Sequence, residues 1–464
     1  MFITKIFNYS LKHLKSGAAR VYVQNAHALR AAGFLADKTI NIEYAKAKVV
    51  ITCDETGENS VQATRRGELI ELRNKKLANS FKGLNRVTIT VRSGRIIISI
   101  SKADSDRLKR EELLEKNIEL GKVRLGSLYS GIGQTSHALK VGLKRVGLET
   151  EHALSSDINE LALSVQLEGN PIWHDHSEDA VVIADDISNI DFDNAPQVDV
   201  LEIGYLCYNQ STLSPKSSRD LDHPKIGSKF IPTVNAIKKL NPAVIVIECA
   251  VPFLQSKTYS LMKKEIIGYN FEETRISGYE HGDFEERKRC FILATSEGLS
   301  RAKLDNFQPP QTVTRPKIQS IMDAVPVGDK SWKIMQHVKD KLKDDRLNFK
   351  HKVYNGSETK IAAIPATYNS PKIGSPMVQA EDSNLLRLFS YAEHSRIRDI
   401  PKSLFEVLDR VAKGEHPLVS KRGNVTAVQT MLGNGISPKA WRNAGEFIGN
   451  YFLNLIAIRK NQLV

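Results

Sequence analysis

Apolar and polar positions change rhythm twice along the chain. Residues 17 to 101 hold short β-branched runs, KVVITCD, GELIELR, NRVTITVR and RIIISIS, which predict strands. The last two meet across Ser93-Gly94, a short hairpin signal, and NKKLANSF between the second and third predicts a helical turn. Over 102 to 122, KADSDRLKREELLEKNIELGK is dense in charge with pairs at i,i+4 spacing, which predicts a linking helix and a domain boundary near it. From Val123 the pattern changes to apolar runs alternating with amphipathic stretches. VRLGSLYS, EHALSSD, VVIADD, VDVLEI, AVIVIE and RCFILAT are the expected strands; TSHALKVGLKRVG, NELALSVQLEG and KFIPTVNAIKKL are expected helices between them. Strand and helix in alternation predict an α/β fold with a doubly wound parallel sheet. Between Arg301 and Asn384 the alternation lapses into polar, proline-spaced, basic sequence such as QPPQTVTRPK and KLKDDRLNFKHKVYNGSETK.

Length and composition narrow the class. A chain of 464 residues can hold two or three domains, each with its own core. No apolar run approaches the roughly 20 residues of a membrane span. The opening MFITKIFNYSLKHLK lacks an apolar core followed by a small-residue cleavage site, so the expected location is cytoplasmic. Four cysteines, Cys53, Cys207, Cys249 and Cys290, are scattered without metal-ligand or disulfide-framework spacing, and no metal is expected. The net charge of +13 points to a polyanionic partner. About ten of those charges lie in the first hundred residues, an asymmetry that suggests nucleic-acid contact; a merely solvated basic surface is the plainer reading.

In a doubly wound sheet ligands sit beyond the carboxyl ends of the strands, so the informative residues follow the apolar runs. Gly131 and Gly133 lie in LGSLYSGIGQTSHAL between a strand and a helix, where glycine permits a tight turn and close approach of backbone to ligand. Asp157 ends the next strand and Asp186 follows another; in that order after a glycine turn, such carboxylates suit ribose hydroxyls and an adenine amino group. Each singly is also an ordinary helix cap. Cys207 follows the fourth strand, Glu248 the fifth, and Arg287 with Arg289 lead into the sixth. A thiol, an acid and a cation at one sheet edge can add to a pyrimidine ring. Cys207 is read either as that nucleophile or as one more small buried hydrophobe.

At these residues the chain resembles the DNA cytosine-5 methyltransferases, collinearly from about residue 123 to residue 450. The family's F-x-G-x-G turn is matched by Tyr129-Ser-Gly131-Ile-Gly133, its acidic second motif by Asp157 and its third-motif aspartate by Asp186 before Ile187. Leu206-Cys207 stands for the Pro-Cys loop, with Ser211 downstream. Glu248-Cys249-Ala250 stands for Glu-Asn-Val, and Glu285-Glu-Arg287-Lys-Arg289 for Gln-x-Arg-x-Arg. LLRLFSYAEHSRIRDIP resembles the ninth motif, and MLGNGI, with Asn434, the tenth, which closes the cofactor pocket.

The resemblance implies a Rossmann-like methyltransferase domain that binds S-adenosylmethionine and flips a cytosine out of double-stranded DNA. Cys207 would add to C6, Glu248 would bond N3 and the exocyclic amine, Arg289 would hold O2, and Arg287 is the candidate for the positive field at the thiol. The expected organisation is a small basic β-rich accessory domain (1–101), a helical linker (102–122), the catalytic core (123–300), a target-recognition region (301–384) and a closing segment (385–464). ARVYVQNAHALRAAGFLADKTINIEY in the first of these faintly resembles swapped-hairpin DNA-binding modules of the AbrB and SymE kind. The protein is expected to act as a monomer on DNA, protecting a host or mobile element from restriction.

Three positions depart from the family pattern: Leu206 for proline, Tyr208 for glutamine, and Cys249 for asparagine. Proline stiffens a loop by fixing φ, so Leu206 is expected to loosen Cys207. Cys249 is a rival nucleophile, Cys290 reads as core, and Cys53 has no assigned role. The departures leave open a catalytically degenerate relative that binds DNA as a regulator, and an RNA-directed cytosine methyltransferase.

Overall fold

The computed structural model describes residues 4–207, 210, 216–343, 352–381 and 383–463. Tyr208 and Ser211 lie outside the described residues. The chain divides into two units, Met1–Lys109 and Arg110–Val464.

In the first unit the β-branched runs pair into two antiparallel sheets. One has six strands in the order Lys5–Ser10, Arg86–Arg92, Arg95–Ser99, Lys48–Cys53, Thr39–Ala45 and Asn59–Ser60. The other has four, Lys12–His13, Ala19–Val23, Gly67–Asn74 and Gln62–Thr64. The hairpin at Ser93-Gly94 pairs Arg92 with Arg95, and Gly94 takes φ of +63° there. Along Arg86–Arg92 residues alternate: Val87, Ile89 and Val91 are buried, while Arg86 and Arg92 are exposed. The helical turn forms over Lys75–Ser80, capped by Asn74, whose side chain accepts from the Leu77 amide.

The division between units falls inside a helix, Lys102–Glu119. Its second half is no free linker. Leu114 and Ile118 are buried in the core of the larger unit, and Arg110 donates from Nε to Ser296 Oγ (2.8 Å) and from Nη2 to the Gly268 carbonyl (2.6 Å).

The larger unit is built on a seven-stranded sheet. Its strands are β1 (Lys122–Leu128), β2 (Glu149–Asp157), β3 (His176–Ala184), β4 (Val200–Gly204), β5 (Val244–Cys249), β6 (Tyr269–Ser277) and β7 (Lys288–Ser296), in the order β3-β2-β1-β4-β5-β7-β6. The first five run parallel, while β7 pairs antiparallel with both β5 and β6. All six expected strands are present. The unexpected one, β6, reverses the chain before RCFILAT, so that run enters antiparallel. Every residue of β5 is buried, as a strand covered on both faces requires.

One face carries α1 (Gln134–Arg145) and the long C-terminal helix; the other carries α3 (Phe230–Leu240) and α4 (Lys257–Glu265). Near the open end of the sheet, α2 (Glu160–Gly169) packs with α6 (Lys402–Lys413) and α7 (Val425–Asn434), while α5 (Tyr391–Ile397) carries a capping box at Ser390 and Glu393. The C-terminal helix α8 (Pro438–Leu463) lies against α1 at a glycine contact. A Cβ on Gly142 would stand 2.1 Å from the Arg442 carbonyl oxygen, and one on Gly445 2.6 Å from that of Leu139. At these two positions no side chain fits between the helices.

The described residues of 301–384 carry little regular structure. Short strands at Val353–Tyr354, Ile361–Ala362 and Met377–Gln379 accompany a small core that includes Ile318, Ile321, Ile361, Ile364 and Tyr368, and a helix, Gln336–Leu342, packs Val338 into a second cluster with Met335, Met377 and Leu386. Among the described residues no helix is long and apolar enough to cross a membrane.

Candidate active site

Strand order reverses between β1 and β4, and the expected site residues collect above that point. After β1 the chain turns sharply: Tyr129, Gly131 and Gly133 take φ of +56°, +52° and +74°. Glycine suits the last two. Tyr129 tolerates the left-handed conformation because its ring is held, with its hydroxyl 2.8 Å from Thr233 Oγ1 and its ring perpendicular to that of Tyr205, centroids 6.0 Å apart. Gly133 begins α1, and a Cβ there would stand 2.7 Å from Gln166 Nε2. Asn170 Nδ2 donates to the carbonyls of Ile132 (2.8 Å) and Gly133 (3.1 Å).

Asp157, at the end of β2, accepts the Gly131 amide at 2.8 Å and the Asn159 amide at 2.9 Å, so it holds the turn as well as facing it. Asp186 follows β3. Both its oxygens accept from Lys229 Nζ at 2.6 Å, and Oδ1 also accepts the Ser188 amide. Lys229 and then that amide hold its carboxyl below the ordinary aspartate range. Lys229 was not foreseen; a lysine in the turn before a helix carries no signal until β3 and α3 are placed together.

Cys207 lies three residues beyond β4, half-buried, and Glu248 lies at the end of β5. The loop is tied to that strand by the Tyr205 amide, which donates to the Glu248 carbonyl at 2.9 Å. Arg289, entering β7, sets Nε 2.9 Å from Glu248 Oε1. Burial works against the Arg289 charge, but Glu248 and then Cys207 outweigh it and raise its pKa. Acid and cation therefore pair at the ends of two neighbouring strands, and the thiol follows the end of a third, near enough to act on the Arg289 charge.

Arg287 departs from expectation. Its guanidinium is fully buried and donates to the carbonyls of Ile364 (3.2 Å) and Gly433 (2.9 Å). Those carbonyls claim it as a clamp between segments, and the cation whose charge meets Cys207 is Arg289. Beside it Glu285 forms a buried pair with Arg398 Nη1 at 2.6 Å, and Arg398 Nη1 also reaches the Ile436 carbonyl at 3.0 Å. The Gly433–Ile436 turn is thereby fastened. Its other side meets α1, where the Ile436 amide donates to Gln134 Oε1 at 3.1 Å and a Cβ on Gly435 would overlap that oxygen. Asn434, at the end of α7, is exposed.

Two of the other cysteines, Cys249 and Cys290, are core. Cys249 and Cys290 face each other across β5 and β7, both fully buried, and Cys290 Sγ donates to the Cys249 carbonyl. Burial first, then Cys290 and Cys207, push the Cys249 thiol well above its ordinary value. Sequence reasoning also passed over Glu202, a carboxyl at 3% exposure in the middle of β4. The available signal was a charge interrupting the apolar run VDVLEI.

The family model for C-5 cytosine-specific DNA methylase matches residues 123–441. A curated relative, Type II methyltransferase M.Bsp6I of Bacillus sp. (strain RFL6), is 23% identical over 225 residues, which cover 47% of this chain and 65% of that protein. The match thus spans just under two thirds of that relative's length. Among solved structures, the S. pombe Dnmt2 methyltransferase superposes with a TM-score of 0.53 at 18% identity, covering 72% of this chain and 99% of its own. The Entamoeba histolytica methyltransferase EhMeth gives 0.52 at 15%, covering 71% and 98%. At these identities the structural likeness is one of fold.

Proposed function

The chain belongs to the C-5 cytosine-specific DNA methylase family, and from that membership we propose that it methylates C5 of cytosine in double-stranded DNA, with S-adenosylmethionine as donor and Cys207 as nucleophile. The observation that carries this reading is the pairing of Glu248 and Arg289 at the ends of β5 and β7, with Cys207 beyond the end of β4 near enough to act on the Arg289 charge, beside the glycine turn.

The turn suits the cofactor. Ser130 Oγ and Gln134 Nε2 are buried there without hydrogen-bond partners, and the space a Cβ of Gly131 would occupy is open. Unpaired buried polar atoms of this kind are satisfied by a polar ligand. Tyr129, Gly131, Gly133, Asp157 and Asp186 would hold it, with Asn434 on the closing turn. When bound, S-adenosylmethionine supplies an electrophilic methyl group.

Cytosine must leave the base stack to reach the site. The Cys207 thiolate adds to C6, which makes C5 nucleophilic. Glu248 binds N3 and the exocyclic amine and stabilises the charge that addition creates. Arg289, always cationic, holds O2 and places positive charge beside the sulfur. After methylation, loss of the C5 proton lets the C6–S bond break and returns the thiolate. Arg287 keeps Ile364 and Gly433 in place around this centre. Residues 301–384, with their own small core, are read as the target-recognition region and the basic N-terminal unit as an added DNA contact. In this reading the protein works as a cytoplasmic monomer on DNA, in a restriction-modification setting.

Bisulfite sequencing of DNA from cells expressing the chain tests the activity and its target sequence together. Protected cytosines in a fixed context are expected. DNA binding without protection would favour the degenerate regulator that Leu206 suggests, and methylation confined to RNA would favour the RNA-directed relative.

A further inference from the structure

We infer that Glu202 is a positioning residue for methyl transfer: a buried carboxyl that ties the end of β1 and the first turn of α1 to the strand leading to Cys207. The inference rests on the reading of this site as a cytosine methyltransferase centre. Glu202 lies in β4 in register with Ser127 of β1, and two residues on, Gly204 is in register with Glu248 of β5. Ser127 Oγ donates to Glu202 Oε2 at 2.5 Å, and Ser136 Oγ, in the first turn of α1, reaches the same oxygen at 3.3 Å. The Thr135 hydroxyl lies near enough to favour the ionised carboxyl as well. A Cβ on Gly204 would stand 3.0 Å from the Tyr129 carbonyl oxygen, so β4 and the glycine turn already touch backbone to backbone beside this side chain.

Three segments that must keep a fixed spacing converge on one side chain: the strand before the cofactor turn, the helix after it, and the strand before the nucleophile. An apolar residue there would leave Ser127 buried without a partner, since its hydroxyl has no access to water. Among the described residues, Glu248, itself paired with Arg289, is the titratable group whose charge acts on Glu202, and the hydroxyls of Ser127, Thr135 and Ser136 act against it. Burial, reinforced by the Glu248 charge and opposed by the hydroxyls, raises the Glu202 carboxyl from the ordinary 4.5 to about 8. At neutral pH it is therefore a neutral group, and ionisation at this depth demands hydration that the packed strands do not admit.

The test compares the full chain with Glu202→Gln and Glu202→Leu, measuring S-adenosylmethionine affinity by calorimetry from pH 6 to 9.5, with turnover and duplex affinity alongside. In the unsubstituted chain, cofactor affinity and turnover are expected to fall as pH rises through about 8. Glu202→Gln should stay within about threefold at pH 6.5 and lose that alkaline fall, because its amide keeps hydrogen bonds and cannot ionise. Glu202→Leu should lose about tenfold in cofactor affinity at every pH while duplex affinity is unchanged. Retention of the alkaline fall in Glu202→Gln, or unimpaired cofactor binding by Glu202→Leu, overturns the inference. If the leucine variant does not fold, the pH profile of the glutamine variant decides alone. Failure of the unsubstituted chain to bind the cofactor at all overturns the methyltransferase reading itself, and the role of Glu202 with it.

Discussion

Cys207 and Cys249 share one end of the sheet, yet burial separates them: the first is half-exposed on a loop, the second wholly enclosed in β5. A thiol acts as a nucleophile when it can ionise and be reached, so the two should behave oppositely. A duplex carrying 5-fluorocytosine at the target should cross-link to Cys207, because fluorine blocks the elimination that frees the enzyme. Cys207→Ser should lose cross-linking and turnover by three orders of magnitude or so while binding cofactor, whereas Cys249→Ser should keep both. Peptide mass spectrometry of the adduct locates the attachment, and a cross-link at Cys249 would refute the assignment. At this scale the glycines, the carboxylates and the thiol could be singled out because each follows an apolar run, and the two arginines because they lead into one. Glu202 and Lys229 could not, since their importance arises from neighbours in the sheet rather than in the chain. The buried course of Arg287 was illegible for the same reason: two arginines two residues apart look alike until the carbonyls of Ile364 and Gly433 claim one of them.

Among elements, the contact of α1 with α8 shows most directly how side-chain volume sets the geometry beneath the cofactor turn. Gly142 faces the backbone of Arg442 and Glu446, and neither can give way without moving a helix. Gly142→Ala should therefore destabilise the protein by about 1–3 kcal/mol through overpacking, visible as a lower thermal midpoint. Gly328→Ala, where an added Cβ meets nothing within 4 Å, should be nearly neutral. Equal midpoints for both variants would mean the two helices separate readily. The buried strands were legible from unbroken apolar runs. In contrast, β6 reads YNFEETRIS, with most positions only half-buried at the sheet's edge, so its pattern does not distinguish it from a polar loop. Missing it also hid the antiparallel course of β7, because direction in a sheet depends on how many times the chain has crossed it.

For the whole molecule, charge and protonation govern behaviour in solution. If the basic N-terminal unit touches DNA, removing residues 1–101 should flatten the fall of log affinity with log salt by about 0.9 for each phosphate that the unit neutralises. An unchanged slope would make that unit structural or a binder of protein. Burial, in each case the leading cause, lowers the pKa of His137 to about 4, His152 to about 3 and His281 to about 4 from the ordinary 6.5. The folded state thus refuses protons that the unfolded chain accepts, and stability present above pH 6.5 should be lost as pH falls towards 3–4. Urea unfolding across that range should show a falling free energy; a flat profile would mean these rings are hydrated. The lock between Gln134 and Ile436 has a further consequence, because its partners are 302 residues apart. During synthesis the glycine turn emerges well before the segment that shuts it. A growing chain therefore carries that turn open for many seconds, while the 302 residues between the partners pass at ordinary elongation rates of about 5–20 residues per second, and the turn is shut only once they have been translated.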